Sequence, residues 1–86
     1  MLGSLPALIT ARWCPFTVPA DNFWRTAARR AGVTLRILDA ESEEGSQVMV
    51  AAGVAGVPCA LISPEQKRYG MELTPAEAEA FLRNTT

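Results

Sequence analysis

Residues 5–17 read Leu5-Pro6-Ala7-Leu8-Ile9-Thr10-Ala11-Arg12-Trp13-Cys14-Pro15-Phe16-Thr17, an apolar run broken by a Trp-Cys-Pro step. Leu5 to Ala11 lacks helical capping and is short, the pattern of a strand buried on both faces. After the break, Ala20, Phe23, Trp24, Ala27, Ala28 and Ala31 recur at three- and four-residue steps, the stripe of an amphipathic helix that stops at Gly32. Pro15 suits the first helical position, and Pro19 marks either a kink in the first turn or the real start. Asp21 early and Arg25, Arg29 and Arg30 late follow the order that complements the helix dipole. Val33, Leu35 and Ile37 then alternate with Thr34 and Arg36, a strand with one buried face. These elements form a β-α-β unit, with Cys14 at the first junction.

Further along, Ser42 before Glu43 and Glu44 has the form of an N-cap with an acidic first turn, opening a short helix through Val48, Met49 and Ala52 to a stop at Gly53. Gly45 is out of place in a helix interior. Cys59 to Ser63 is a second buried strand, Ser63-Pro64-Glu65 turns the chain, and Lys67 to Met71 returns as its hairpin partner. Thr74-Pro75-Ala76-Glu77 is a capping box with proline at the first helical position; Leu73 can staple onto Ala78, and Phe81 and Leu82 complete the buried stripe. The order β-α-β-α-β-β-α predicts an α/β protein.

The 86 residues are short for anything but a single domain, 1–86, and 49% apolar with 20% charged residues is enough for a thin layered core. A net charge of -1 lacks the basic excess that nucleic acid demands. The uncharged run Gly45 to Pro64 is broken by Gly53, Gly56 and Pro58, which argues against a membrane span, and Met1 to Ala11 has no basic n-region of a secretory signal. A cytoplasmic location is the expectation. Two cysteines, Cys14 and Cys59, and no histidine exclude a disulfide scaffold, argue against a zinc site and remove Cys-His catalysis. Any nucleophile must be activated in another way.

A cysteine entering a helix N-terminus meets unsatisfied N–H groups and the positive dipole end, which favour thiolate without a histidine; Arg12 is a further candidate source of positive field. Taken alone, Cys14 reads equally as a half-buried strand-end cysteine. The second motif, Gly53-Val54-Ala55-Gly56-Val57-Pro58, places a proline at the start of a strand, where a missing N–H is tolerated and a cis bond is accessible. Alone it is a turn before a strand.

Together, Trp13-Cys14-Pro15 after the first strand and Gly53 to Pro58 before the third resemble the thioredoxin-fold superfamily, with the spacing from Cys14 to Pro58 also like that of thioredoxins. Cys14-Pro15-Phe16 is most similar to glutaredoxins and to the thioredoxin-like N-terminal domains of cysteine-type glutathione transferases. The resemblance covers about Leu5 to Leu82. It implies a mixed four-stranded sheet of order 2-1-3-4 flanked by helices, with Val57-Pro58 cis beside Cys14. It also implies a monothiol thiol-disulfide oxidoreductase: Cys14 as nucleophile, Thr17 stabilising its thiolate, and Trp13, Pro15, Phe16, Val57 and Pro58 binding substrate. The implied partners are protein disulfides or glutathione, the latter as co-substrate, with no bound cofactor and no metal. Thr17 stands where dithiol members carry a second cysteine, and Gly70-Met71-Glu72-Leu73-Thr74 stands where family glutathione sites have Gly-Gly-x-Asp-Asp. Cys59 is either a buried strand cysteine or an unusually placed resolving thiol. The rival from another class is a redox-inactive thioredoxin-fold binding module, or a detached transferase-like domain that docks partners in the same groove.

Overall fold

The computed structural model describes residues 5–84, so the first four residues of the run Met1 to Ala11 lie outside the described residues. The chain folds as β1 (Ala7–Thr10), α1 (Thr17–Ala31), β2 (Arg36–Asp39), α2 (Glu43–Ala52), β3 (Cys59–Ser63), β4 (Gln66–Tyr69) and α3 (Pro75–Arg83). The sheet order is β2-β1-β3-β4, as expected. β1 runs parallel to β2 and antiparallel to β3, and β4 pairs antiparallel with β3, so the sheet is mixed. A parallel β1–β2 pair needs a long crossover, which α1 supplies.

The two central strands explain the core. All four residues of β1 are buried, and alternation sends Leu8 to one face and Ala7 and Ile9 to the other. On the first face Leu8, Ala60 and Ile62 meet α1 and α3 through Trp24, Ala28, Ala78 and Leu82. On the second, Ile9 and Leu61 meet Val48 and Ala52 of α2. The result is a helix–sheet–helix sandwich in three layers. Trp24 is the largest fully buried side chain, gripped edge-on by Phe23 at 5.4 Å and Phe81 at 6.0 Å between ring centroids.

Both polar N-caps lie where the sequence places them. Ser42 Oγ accepts from the Gly45 N–H at 3.0 Å. Thr74 Oγ1 accepts from the Glu77 N–H at 3.1 Å, while the Glu77 carboxylate accepts from the Thr74 N–H at 2.8 Å. Those Thr74 hydrogen bonds, the backbone one foremost, hold the Glu77 carboxyl below its usual range. Gly45 has a packing reason that helix propensity hides: a Cβ built there would overlap the Asp39 carbonyl oxygen at the end of β2. That same carbonyl accepts from Ser42 Oγ at 2.6 Å and from the Ser42 N–H at 3.0 Å, so it has no room to retreat. Gly45→Ala should therefore destabilise by about 1–3 kcal/mol, overriding the roughly 1 kcal/mol that alanine gains in helix propensity. Urea denaturation followed by circular dichroism checks the sign; a stabilised variant would show that α2 shifts freely away from β2.

Three expectations are corrected. Helix α1 begins at Thr17 with Phe16 as N-cap, not at Pro15. The chain makes two tight turns first, with the Cys14 N–H donating to the Ala11 carbonyl at 3.0 Å and the Thr17 N–H to the Cys14 carbonyl at 3.2 Å. Pro19 then falls in the first turn of α1, where a missing N–H leaves no bond unmade. Strand β2 starts only at Arg36, and it has two apolar faces: Ile37 borders the α1/α3 layer while Leu38 is buried beneath α2. The alternation seen in Val33, Leu35 and Ile37 is real, but Leu38 breaks it on the opposite side. Strand β4 ends at Tyr69, before Met71, because Gly70 adopts φ 69° and turns the chain out of the ladder.

Candidate functional site

Cys14 lies in the turn that leads from the central strand β1 to α1, with 8% of its surface exposed. The neighbouring apolar side chains are turned outward: Trp13 is 69%, Phe16 58% and Val18 69% exposed. Pro15 is exposed as well. Thr17 closes the turn. Its hydroxyl donates to the Ala11 carbonyl at 2.6 Å and accepts from the Ala11 N–H at 3.4 Å. A hydroxyl has one proton, and here it is committed to Ala11. Thr17 thus clamps the loop around Cys14, and a bond from it to the Cys14 sulfur would require that clamp to open. Arg12 is also engaged: its guanidinium lies 3.8 Å from the Asp39 carboxylate on the neighbouring strand, so part of its field is spent there.

The peptide bond Val57-Pro58 is cis, and Pro58 is buried immediately before β3. Beside it runs a groove of about 460 Å³. It is lined by Phe16, by Gly56, Val57 and Pro58, and by the segment 69–72. The structure therefore brings Phe16, Val57 and Pro58 together. Trp13, Cys14 and Pro15 are not among the groove's lining residues.

Two residues without a sequence-assigned role hold this groove in shape. The Gly70 N–H donates to the Pro58 carbonyl at 2.8 Å, and the Gly70 carbonyl accepts from the Trp24 indole N–H at 2.9 Å. Gly70 thereby ties the proline segment to the core of α1. The Tyr69 hydroxyl accepts from the Ala55 N–H at 3.0 Å and fixes the loop ahead of Pro58. These contacts join residues 12, 14 and 46 positions apart, and no local sequence pattern announces them. The only hint is Gly70 itself, a glycine just past a strand.

Cys59 is placed differently from Cys14. It is fully buried, pairs with Ile9 across the ladder, and shares by two-residue alternation the face of Leu61 beneath α2. The Cys14 turn instead leads into α1 on the opposite face. Burial pushes the Cys59 thiol from its ordinary value of 9.0 up to about 11, with nearby Lys67 pulling weakly the other way. The structure thus gives Cys59 the setting of a buried strand cysteine. Since the folded protein holds this proton longer than the unfolded chain, stability is undiminished below pH 9 and falls as pH rises toward about 11. In chemical denaturation across that range, Cys59→Ala should show a shallower loss than the parent; equal slopes would mean that folding leaves the Cys59 thiol unshifted.

Among the described residues, no group of three or more His, Cys, Asp or Glu side chains is arranged to hold a metal, and no helix is long and apolar enough to cross a membrane. Comparison of the chain with known protein families, with curated proteins and with solved structures finds no match.

Proposed function

We propose that the protein is a thioredoxin-like, glutaredoxin-type monothiol exchange protein acting through Cys14. The observation that carries this reading is the shared groove: Phe16 from the Cys14 turn and Pro58 from the head of β3 both line it, at one end of a sheet ordered β2-β1-β3-β4. In the exchange step the Cys14 thiolate attacks one sulfur of a substrate disulfide. A new S–S bond forms as the old one breaks, and the departing sulfur leaves as a thiolate that takes a proton from water. Thr17 occupies the position from which a second cysteine would close an internal disulfide. An outside thiolate, glutathione being the one the resemblance implies, therefore attacks the substrate sulfur of the mixed disulfide and releases Cys14 as thiolate. The net result is exchange of one thiol for another, with Cys14 regenerated.

Burial of Cys14 and the committed Thr17 hydroxyl favour a second reading, a redox-inactive binding module that docks a partner in the same groove. Incubation of the reduced protein with glutathione disulfide separates the two. The exchange reading expects one mixed disulfide, mapped to Cys14 by mass spectrometry and removed by added glutathione. A native protein that stays unmodified, while the urea-unfolded chain is modified at both cysteines, would remove the exchange reading in favour of the binding module.

A further inference from the structure

The groove's lining is apolar and aromatic, and among the described residues its one carboxylate is Glu72, an exposed side chain with no ion pair or hydrogen bond to another described residue. Among the described residues, no lysine or arginine lines it. Arg68, next to the lining segment, sits instead over the Phe81 ring at 5.8 Å from its centroid, and Lys67 donates to the Pro64 carbonyl at 2.7 Å. Phe16 lines this groove, and Trp13 and Val18, close to it in the chain, are exposed as well. An exposed aromatic at an apolar groove is the kind of anchor that partner surfaces cover.

Resting on the exchange reading above, we propose that the groove takes a polypeptide segment that presents an apolar side chain to Phe16 and a lysine or arginine to Glu72, in preference to glutathione. Glutathione is an anion at neutral pH, and beside Glu72 it meets like charge with no cation among the lining residues to offset it. A cationic segment meets the opposite sign, and its apolar neighbour covers Phe16 and Trp13. Glu72 is then the specificity-determining residue and Phe16 the apolar anchor.

The test uses Cys14→Ser in the full chain and probes without thiols: two dye-labelled peptides of the same apolar composition, one with a single lysine and one with a single glutamate, and S-methylglutathione. By fluorescence anisotropy at low salt the lysine peptide should bind about fivefold more tightly than the glutamate peptide, a ratio that shrinks as salt rises. Glu72→Lys should invert the order, and Phe16→Ala should weaken both peptides alike. Circular dichroism verifies that each variant is folded. Equal affinities, undetectable peptide binding, an unchanged order in Glu72→Lys, or tighter binding of S-methylglutathione would overturn the proposal. So would self-association of the parent, seen by sedimentation and abolished by Phe16→Ala, since a second copy would then cover the groove. None of these probes can exchange disulfides, so absence of exchange in the parent would remove the redox function and leave this result standing, whereas loss of binding with exchange intact would remove only the partner class.

Discussion

Cys14→Ser should lower the rate of thiol-disulfide exchange by on the order of 10³-fold or more, because a serine hydroxyl is not ionised near neutral pH and cannot form the mixed disulfide. Cys59→Ala should leave the rate within about twofold, since a thiol with no exposed surface beneath α2 has no path to substrate. The measurement is the glutathione-coupled reduction of a small mixed disulfide, with parent and both variants compared at equal concentration. Iodoacetamide labelling of the native parent should run in parallel: Cys14 is modified near neutral pH while Cys59, with its thiol pushed up to about 11, resists until the chain unfolds. A large loss in Cys59→Ala, or a stable Cys14–Cys59 disulfide on mild oxidation, would make Cys59 the resolving thiol and overturn the monothiol account. Equal activity in all three proteins would remove Cys14 from the chemistry.

Trp24→Ala should cost about 3–5 kcal/mol, since the indole is fully buried between Phe23 and Phe81 and its removal leaves a cavity the helices cannot close. For a chain of 86 residues, with a total stability of roughly 4–13 kcal/mol, that loss brings the fold near its limit. Trp24→Phe is the more informative change. It keeps most of the apolar volume but removes the N–H that reaches the Gly70 carbonyl, a loss of about 1–3 kcal/mol if that carbonyl is left without a donor. Far-ultraviolet circular dichroism in urea reads both variants, because the substitution also removes a fluorophore. Gly70 links Trp24 to the Pro58 carbonyl, so Trp24→Phe should also weaken peptide binding in the groove beyond what the stability loss explains. An unchanged urea midpoint would show that the bond contributes nothing to the fold.

Local chemistry made much of this architecture legible. Ser42 and Thr74 each satisfy an N–H three residues away, Gly32 and Gly53 adopt the left-handed conformation that ends a helix, and the apolar run from Cys59 fits a β3 covered on both faces. Such signals act within one turn or one strand, so neighbouring residues determine them. Motif residues likewise located the Cys14 turn and the proline before β3. The fine structure of the site obeys other rules. Pro15 is compatible with a helix start, yet Thr17 bonding to Ala11 holds the chain in a turn and delays α1 to Thr17. Gly45 disfavours a helix on propensity alone, but only the approach of α2 to Asp39 shows why a side chain cannot be there. The partners that shape the groove, Gly70 with Pro58 and Trp24, and Tyr69 with Ala55, are distant in sequence and meet because β4 lies beside β3 and the chain leaving it reaches the Trp24 indole of α1. The sequence by itself determined the order of elements, the caps and the two cysteine settings as candidates; which hydroxyl is committed, which thiol is sealed and which side chains share a groove were decided by packing, because those properties depend on neighbours that only the folded chain brings together.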